Sequence, residues 1–90
     1  MYRVQWLQSA MDRLSAIWVE AHASLRARIT QATNEIDREL RMDPVNLGES
    51  RSEKSRIIFV APLGVLFRVD PEDRLVVVER VWLLCSRPTT

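Results

Sequence analysis

Arginine is the residue type through which this sequence has most chemistry to offer. Twelve of its thirteen positive charges are arginine, and Lys54 is the only lysine. A guanidinium is a planar fork of donors that grips carboxylate or phosphate bidentately, which an ammonium does not do. High-GC coding bias produces the same imbalance, so the excess alone assigns no function. Twelve acidic residues bring the net charge to +1, so bulk electrostatics offers no case for nucleic acid. His22 is the only histidine and Cys85 the only cysteine. A zinc site is therefore close to excluded, and neither a metal nor a cofactor is expected. A histidine-based triad would have to use His22, and no arrangement suggests one. An internal disulfide is impossible, which fits a reducing cytoplasm. Cys85 reads as a small packed thiol rather than a nucleophile.

Ninety residues make one domain, residues 1–90, with a stability of roughly 5–15 kcal/mol. At 47% hydrophobic and 28% charged, the chain has enough apolar material to fold and is not disordered throughout. No apolar run reaches about 18 residues, so no membrane-spanning helix is expected. Met1–Gln8 lacks the apolar core of a signal peptide.

The elements that must position these groups follow from periodicity. Tyr2, Val4 and Trp6 alternate with Arg3 and Gln5, which predicts a strand over Tyr2–Leu7. Ser9 reads as a helix N-cap with Asp12 three residues on. Leu14, Ile17, Trp18 and Ala21 then recur at helical spacing, with Trp6 and Trp18 as core candidates. Leu25, Ile29, Ala32, Ile36 and Leu40 continue the pattern until Asp43-Pro44 ends it. No Gly or Pro divides Ser9 from Asp43, so periodicity leaves one long helix and a hairpin both open. A helix near 50 Å would outreach a domain of this size, and compactness favours a break at residues 22–24 with Ser24 as second N-cap. Val45–Ser55 reads as loop. Arg56–Val60, Val65–Val69 and Arg74–Leu84 read as strands joined by type I turns at Ala61–Gly64 and Asp70–Asp73. Arg87–Thr90 reads as a frayed tail. The fold class is α+β, in the order β-α-α-β-β-β, with a helical hairpin on one face of a small, mainly antiparallel sheet.

Both faces of the last strand are apolar. Leu75, Val77, Val81 and Leu83 share one with Glu79, while Val76, Val78, Trp82 and Leu84 share the other with Arg80. Ile58 and Val60 against Ile57 and Phe59 repeat this in the strand over residues 56–60. An antiparallel sheet with one wet face alternates apolar and polar residues instead. Two helices cover one face only, so the face of Val76, Val78, Trp82 and Leu84 is expected to meet a partner chain, a second copy or another protein. Strong sheet curvature is the competing explanation.

The order of elements, carried by Tyr2–Trp6, Ala10…Leu14…Ile17-Trp18, Ala32…Ile36-Asp37…Leu40…Asp43-Pro44…Gly48–Arg51, Arg56-Ile57, Gly64–Asp70 and Val76–Val81, resembles the RelE/ParE toxins of bacterial toxin–antitoxin pairs. The resemblance spans residues 2 to about 82 and rests on the ordered set, no single motif being specific. It implies a toxin neutralised by a cognate antitoxin that wraps its surface. RelE-like members cut mRNA on the ribosome, and ParE-like members poison DNA gyrase.

Cutting RNA requires removal of the 2′-hydroxyl proton, stabilisation of phosphorane charge and a proton for the leaving oxygen. What the resemblance implies for this is positive charge from Arg51, Lys54, Arg56, Arg68 and Arg80, with Glu49 as base. Arg56 and Arg68 read more readily as sheet-face ion-pair partners, for instance of Asp70 or Glu79, than as catalytic residues. The family often has Arg where this chain has Gly64, and a C-terminal His, Arg or Tyr where it has Trp82-Leu83-Leu84-Cys85. The usual acid–base pair is thus absent. Gyrase poisoning, an arginine-only ribonuclease and a degenerate toxin kept as a protein-interaction module all stay open.

Overall fold

The computed structural model describes residues 1–52 and 54–84. Strand β1 (Arg3–Trp6) leads into helix α1 (Gln8–Glu20) and helix α2 (Ala23–Met42). After a 3-10 turn at Pro44–Asn46 come β2 (Glu49–Ser50), β3 (Ser55–Val60), β4 (Leu63–Asp70) and β5 (Leu75–Leu83). The sheet order is β1-β5-β4-β3-β2, with β1 parallel to β5 and every other pair antiparallel. The α+β hairpin-on-sheet architecture is the one that periodicity and compactness together predict, with β2 as an added fifth strand inside the expected loop. The expected tail at residues 87–90, and Cys85, lie outside the described residues.

The helices divide at Ala21-His22, where the backbone is extended. Compactness thus selects the hairpin, but different residues cap it. α1 begins at Gln8 with Leu7 at the N-cap and no side-chain cap, so Ser9 lies inside the helix. α2 is capped by His22, whose Nδ1 accepts the Leu25 N–H at 3.3 Å, while Ser24 Oγ sits 3.0 Å from the same nitrogen. Arg26 seals the other side of the corner. Its Nε and Nη2 donate to the Trp18 and Val19 carbonyls at 2.9 and 2.8 Å, so Trp18 O, which also accepts the Ala21 N–H, and Val19 O are both bonded at the end of α1. The guanidinium lies 4.4 Å from the Trp18 ring centroid. Trp18 is not a core residue: it is 41% exposed on the outside of the hairpin.

The β3–β4 connection is tighter than expected. Val60 pairs with Leu63, so Ala61-Pro62 alone makes the turn, its peptide bond is cis, and Gly64 belongs to β4. The β4–β5 turn closes one residue late, with the Arg74 N–H donating to the Pro71 carbonyl and Arg74 at φ 50°.

Both helices pack on one face of the sheet. Ala10, Ile17, Ile29, Ala32, Ile36 and Leu40 meet Ile58, Leu63, Val65, Phe67, Val69, Val76, Val78 and Val81. The strand pairs that share this face are Ile58 with Val65, Val65 with Val81, Phe67 with Val78 and Val69 with Val76. Leu66 pairs with Arg80 and Phe67 with Val78, so Glu79 is the extra residue of a β-bulge. Strict alternation predicts that Val76, Val78, Trp82 and Leu84 share a face. The bulge breaks that set: Val76 and Val78 are fully buried beneath the helices, whereas Arg80 and Trp82 turn to the opposite face.

Candidate functional site on the open sheet face

The sheet face away from the helices is still apolar at its centre. Phe59, Gly64 and Trp82 are cross-strand partners there, as are Ile57, Leu66 and Arg80. Phe59 is 57% exposed and meets Trp82 edge to face, ring centroids 6.3 Å apart at 78°. Arg51 joins from the segment after β2, whose backbone is fastened by the Arg51 N–H donating to the Ser55 carbonyl at 2.8 Å. Arg51, Ser55, Ile57, Leu66, Arg80 and Trp82 line a groove of about 480 Å³. Arg68 is engaged nearby, its Nη1 3.3 Å from Glu79 Oε2, one of the sheet-face ion pairs expected for it.

Of the sequence-derived candidates, Arg51 and Arg80 come together in this groove. Among the described residues neither has an ion-pair partner. Glu49 pairs with Ile57 and so stands on the same face at the sheet edge, exposed. Lys54 is exposed and is not among the residues lining the groove. Arg56 pairs with the buried Phe67 and faces the helix side, where its Nε and Nη2 donate to the Leu47 and Gly48 carbonyls at 2.6 and 3.0 Å. It is a backbone clamp and stands apart from the groove. Leu84 is half-buried, its N–H held by the Pro62 carbonyl at 2.7 Å. The residues that complete the groove with Trp82, namely Ser55, Ile57 and Leu66, were absent from the sequence-derived set. The doubled apolar pattern of β3 was the signal for Ile57.

Two guanidiniums beside an aromatic face bind a phosphate or carboxylate and stack a flat group. They stabilise negative charge well, but a guanidinium holds its proton too tightly for ordinary acid–base work. Glu49 is the cross-strand partner of the groove residue Ile57, and among the described residues no group of three His, Cys, Asp or Glu is placed to hold a metal. Among the described residues no helix is long and apolar enough to cross a membrane.

No family model matches the sequence, and no curated protein matches it either. Solved structures do. A chain of the RelBE2 toxin–antitoxin complex from Mycobacterium tuberculosis superposes with a TM-score of 0.71 at 18% identity, over 91% of this chain and 90% of that one. A chain of the chromosomal ParDE system from P. aeruginosa also gives 0.71, at 19% identity over 94% and 98%. The isolated E. coli RelE toxin gives 0.65, at 15% identity over 99% and 89%. The chain therefore carries the RelE/ParE toxin fold.

Proposed function

We propose that this chain is the toxin of a type II toxin–antitoxin module, silenced by a cognate antitoxin and acting on mRNA translation or on DNA gyrase. The observation that carries the reading is the open sheet face. It joins an apolar centre of Ile57, Phe59, Leu66 and Trp82 to two arginines that have no ion-pair partner among the described residues, and no described part of the chain covers it. Similarity to toxins of both RelE and ParE systems supports the toxin role and leaves the two targets level. Arg51 and Arg80 would bind the target's anionic groups, and the apolar centre would take the antitoxin.

A second reading is a toxin-like domain that binds without catalysis. The groove favours it in one respect: its described lining includes no imidazole or phenol to pass a proton. Induced expression without a partner separates the two. Growth arrest that is lost in Arg51→Ala/Arg80→Ala supports the toxin reading, and harmless expression of the folded wild-type chain ends it. Primer extension on cellular mRNA, set against a gyrase supercoiling assay, then identifies the target.

A further inference from the structure

We propose that Arg56 is a positioning residue that holds Arg51 over the open-face groove. The inference rests on the reading of that groove as functional. Arg56 cannot serve the groove directly, because its cross-strand partner is the buried Phe67 and its face is the helix side of the sheet. Its Nε and Nη2 donate to successive backbone carbonyls, Leu47 at 2.6 Å and Gly48 at 3.0 Å. Leu47 ends the 3-10 turn, where carbonyls lack intrahelical partners, and a charged fork is the side chain suited to two of them at once.

The clamp acts where the chain crosses β3 most closely. Gly48 has φ +71°, and a Cβ there would come within 2.1 Å of the Ile57 carbonyl oxygen, so the segment lies directly on the strand. From that crossing the chain runs through Glu49, paired with Ile57, and Ser50, paired with Arg56, to Arg51. β2 is only two residues long, too short to fix this segment by its ladder alone. The Arg56 guanidinium at one end and the Arg51 N–H to Ser55 carbonyl bond at the other therefore set where Arg51 stands.

The test compares Arg56→Ala, Arg56→Lys, Arg51→Ala and the Arg51→Ala/Arg56→Ala double variant in the full chain. Backbone amide resonances report the segment, and the inducer dose needed for growth arrest reports function. In Arg56→Ala the amides of Gly48–Ser52 should move while those of β4 and β5 hold. The arresting dose should rise on the order of tenfold to a hundredfold, as expected for a misplaced functional group. Arg56→Lys, which still offers a donor, should recover part of both, and it provides the comparison if Arg56→Ala does not fold. The double variant should match Arg51→Ala, because Arg56 works through Arg51. Unmoved segment amides in a folded Arg56 variant overturn the proposal. So does a double variant whose dose increase is the product of the two singles, since Arg56 would then act on the target by itself. A wild-type chain that leaves growth untouched ends the toxin reading, while displaced amides in the Arg56 variants still uphold the clamp.

Discussion

The indole of Trp82 lies across Gly64 so closely that a Cβ on Gly64 would sit 2.5 Å from ring atom Cε2 and 2.6 Å from Nε1. No real Cβ contact is that short, so the absent side chain at position 64 is what lets Trp82 lie flat on the sheet. Phe59, on the far side of Gly64 in the same row, then closes edge-on against the ring. The glycine is needed here for space rather than for an unusual backbone angle.

Gly64→Ala should therefore displace the indole. An overpacked contact of this kind costs about 1–3 kcal/mol, and the melting temperature should fall by roughly 4–8 °C per kcal/mol for a domain of this size. Thermal unfolding and the near-ultraviolet circular dichroism of the tryptophans would show it. In a Trp82→Ala background the same Gly64→Ala change should be nearly neutral, since the ring it strikes is gone. A penalty that persists there contradicts the packing.

The bulge at Glu79 makes a second expectation. Glu79→Gln removes only the ion pair with Arg68, whose side chain is 50% exposed, and should change stability by no more than about 1 kcal/mol. Deleting Glu79 should remove the bulge and leave Val78 opposite Phe67 and Arg80 opposite Leu66 as successive pairs of a regular ladder, with Trp82 still on the open face. Register is kept on both sides of the deletion, so the deletion variant should fold. A deletion variant without a cooperative melt, followed by circular dichroism, would falsify the bulge.

Val78 and Ile57 should part company. Val78 is fully exposed to the core and not at all to solvent, so Val78→Asp should unfold the chain. Ile57 is half-buried on the open face, and Ile57→Asp should leave a cooperative melt. Under the proposed function it should also weaken antitoxin binding, measured by titration calorimetry. Binding that survives Ile57→Asp would move the antitoxin elsewhere on the surface.

The helical hairpin depends on the His22 cap. His22→Ala should lose about 1 kcal/mol by leaving the Leu25 N–H unpaired, while His22→Asp should hold stability because its carboxylate accepts the same bond. Chemical denaturation of the two variants compares them directly. Equal loss in both would mean that the cap contributes little.

Much of this molecule was legible in residue spacing. Ile29, Ala32, Ile36 and Leu40 recur at three and four because one stripe of α2 must face the sheet, and all four are buried. The doubly apolar strands announced a sheet with a second greasy face. Caps were harder to read, because whether Ser9, Ser24 or His22 caps a helix depends on where the backbone leaves the helical region, and several nearby side chains are competent. Arg56 could not be told from Arg51 by residue type. One side chain points to each face, and only the register with Phe67 separates them.

Local chemistry, then, determined the element types, the order of the chain and the excess of apolar surface, since these depend on period and propensity within short windows. The tertiary structure decided which side chains share the open face. A single extra residue at Glu79 reverses the alternation for the remainder of β5, sending Val76 and Val78 inward and Trp82 outward. A bulge is specified by the partner strand opposite it rather than by the residues that form it, so no reading along one strand reaches it.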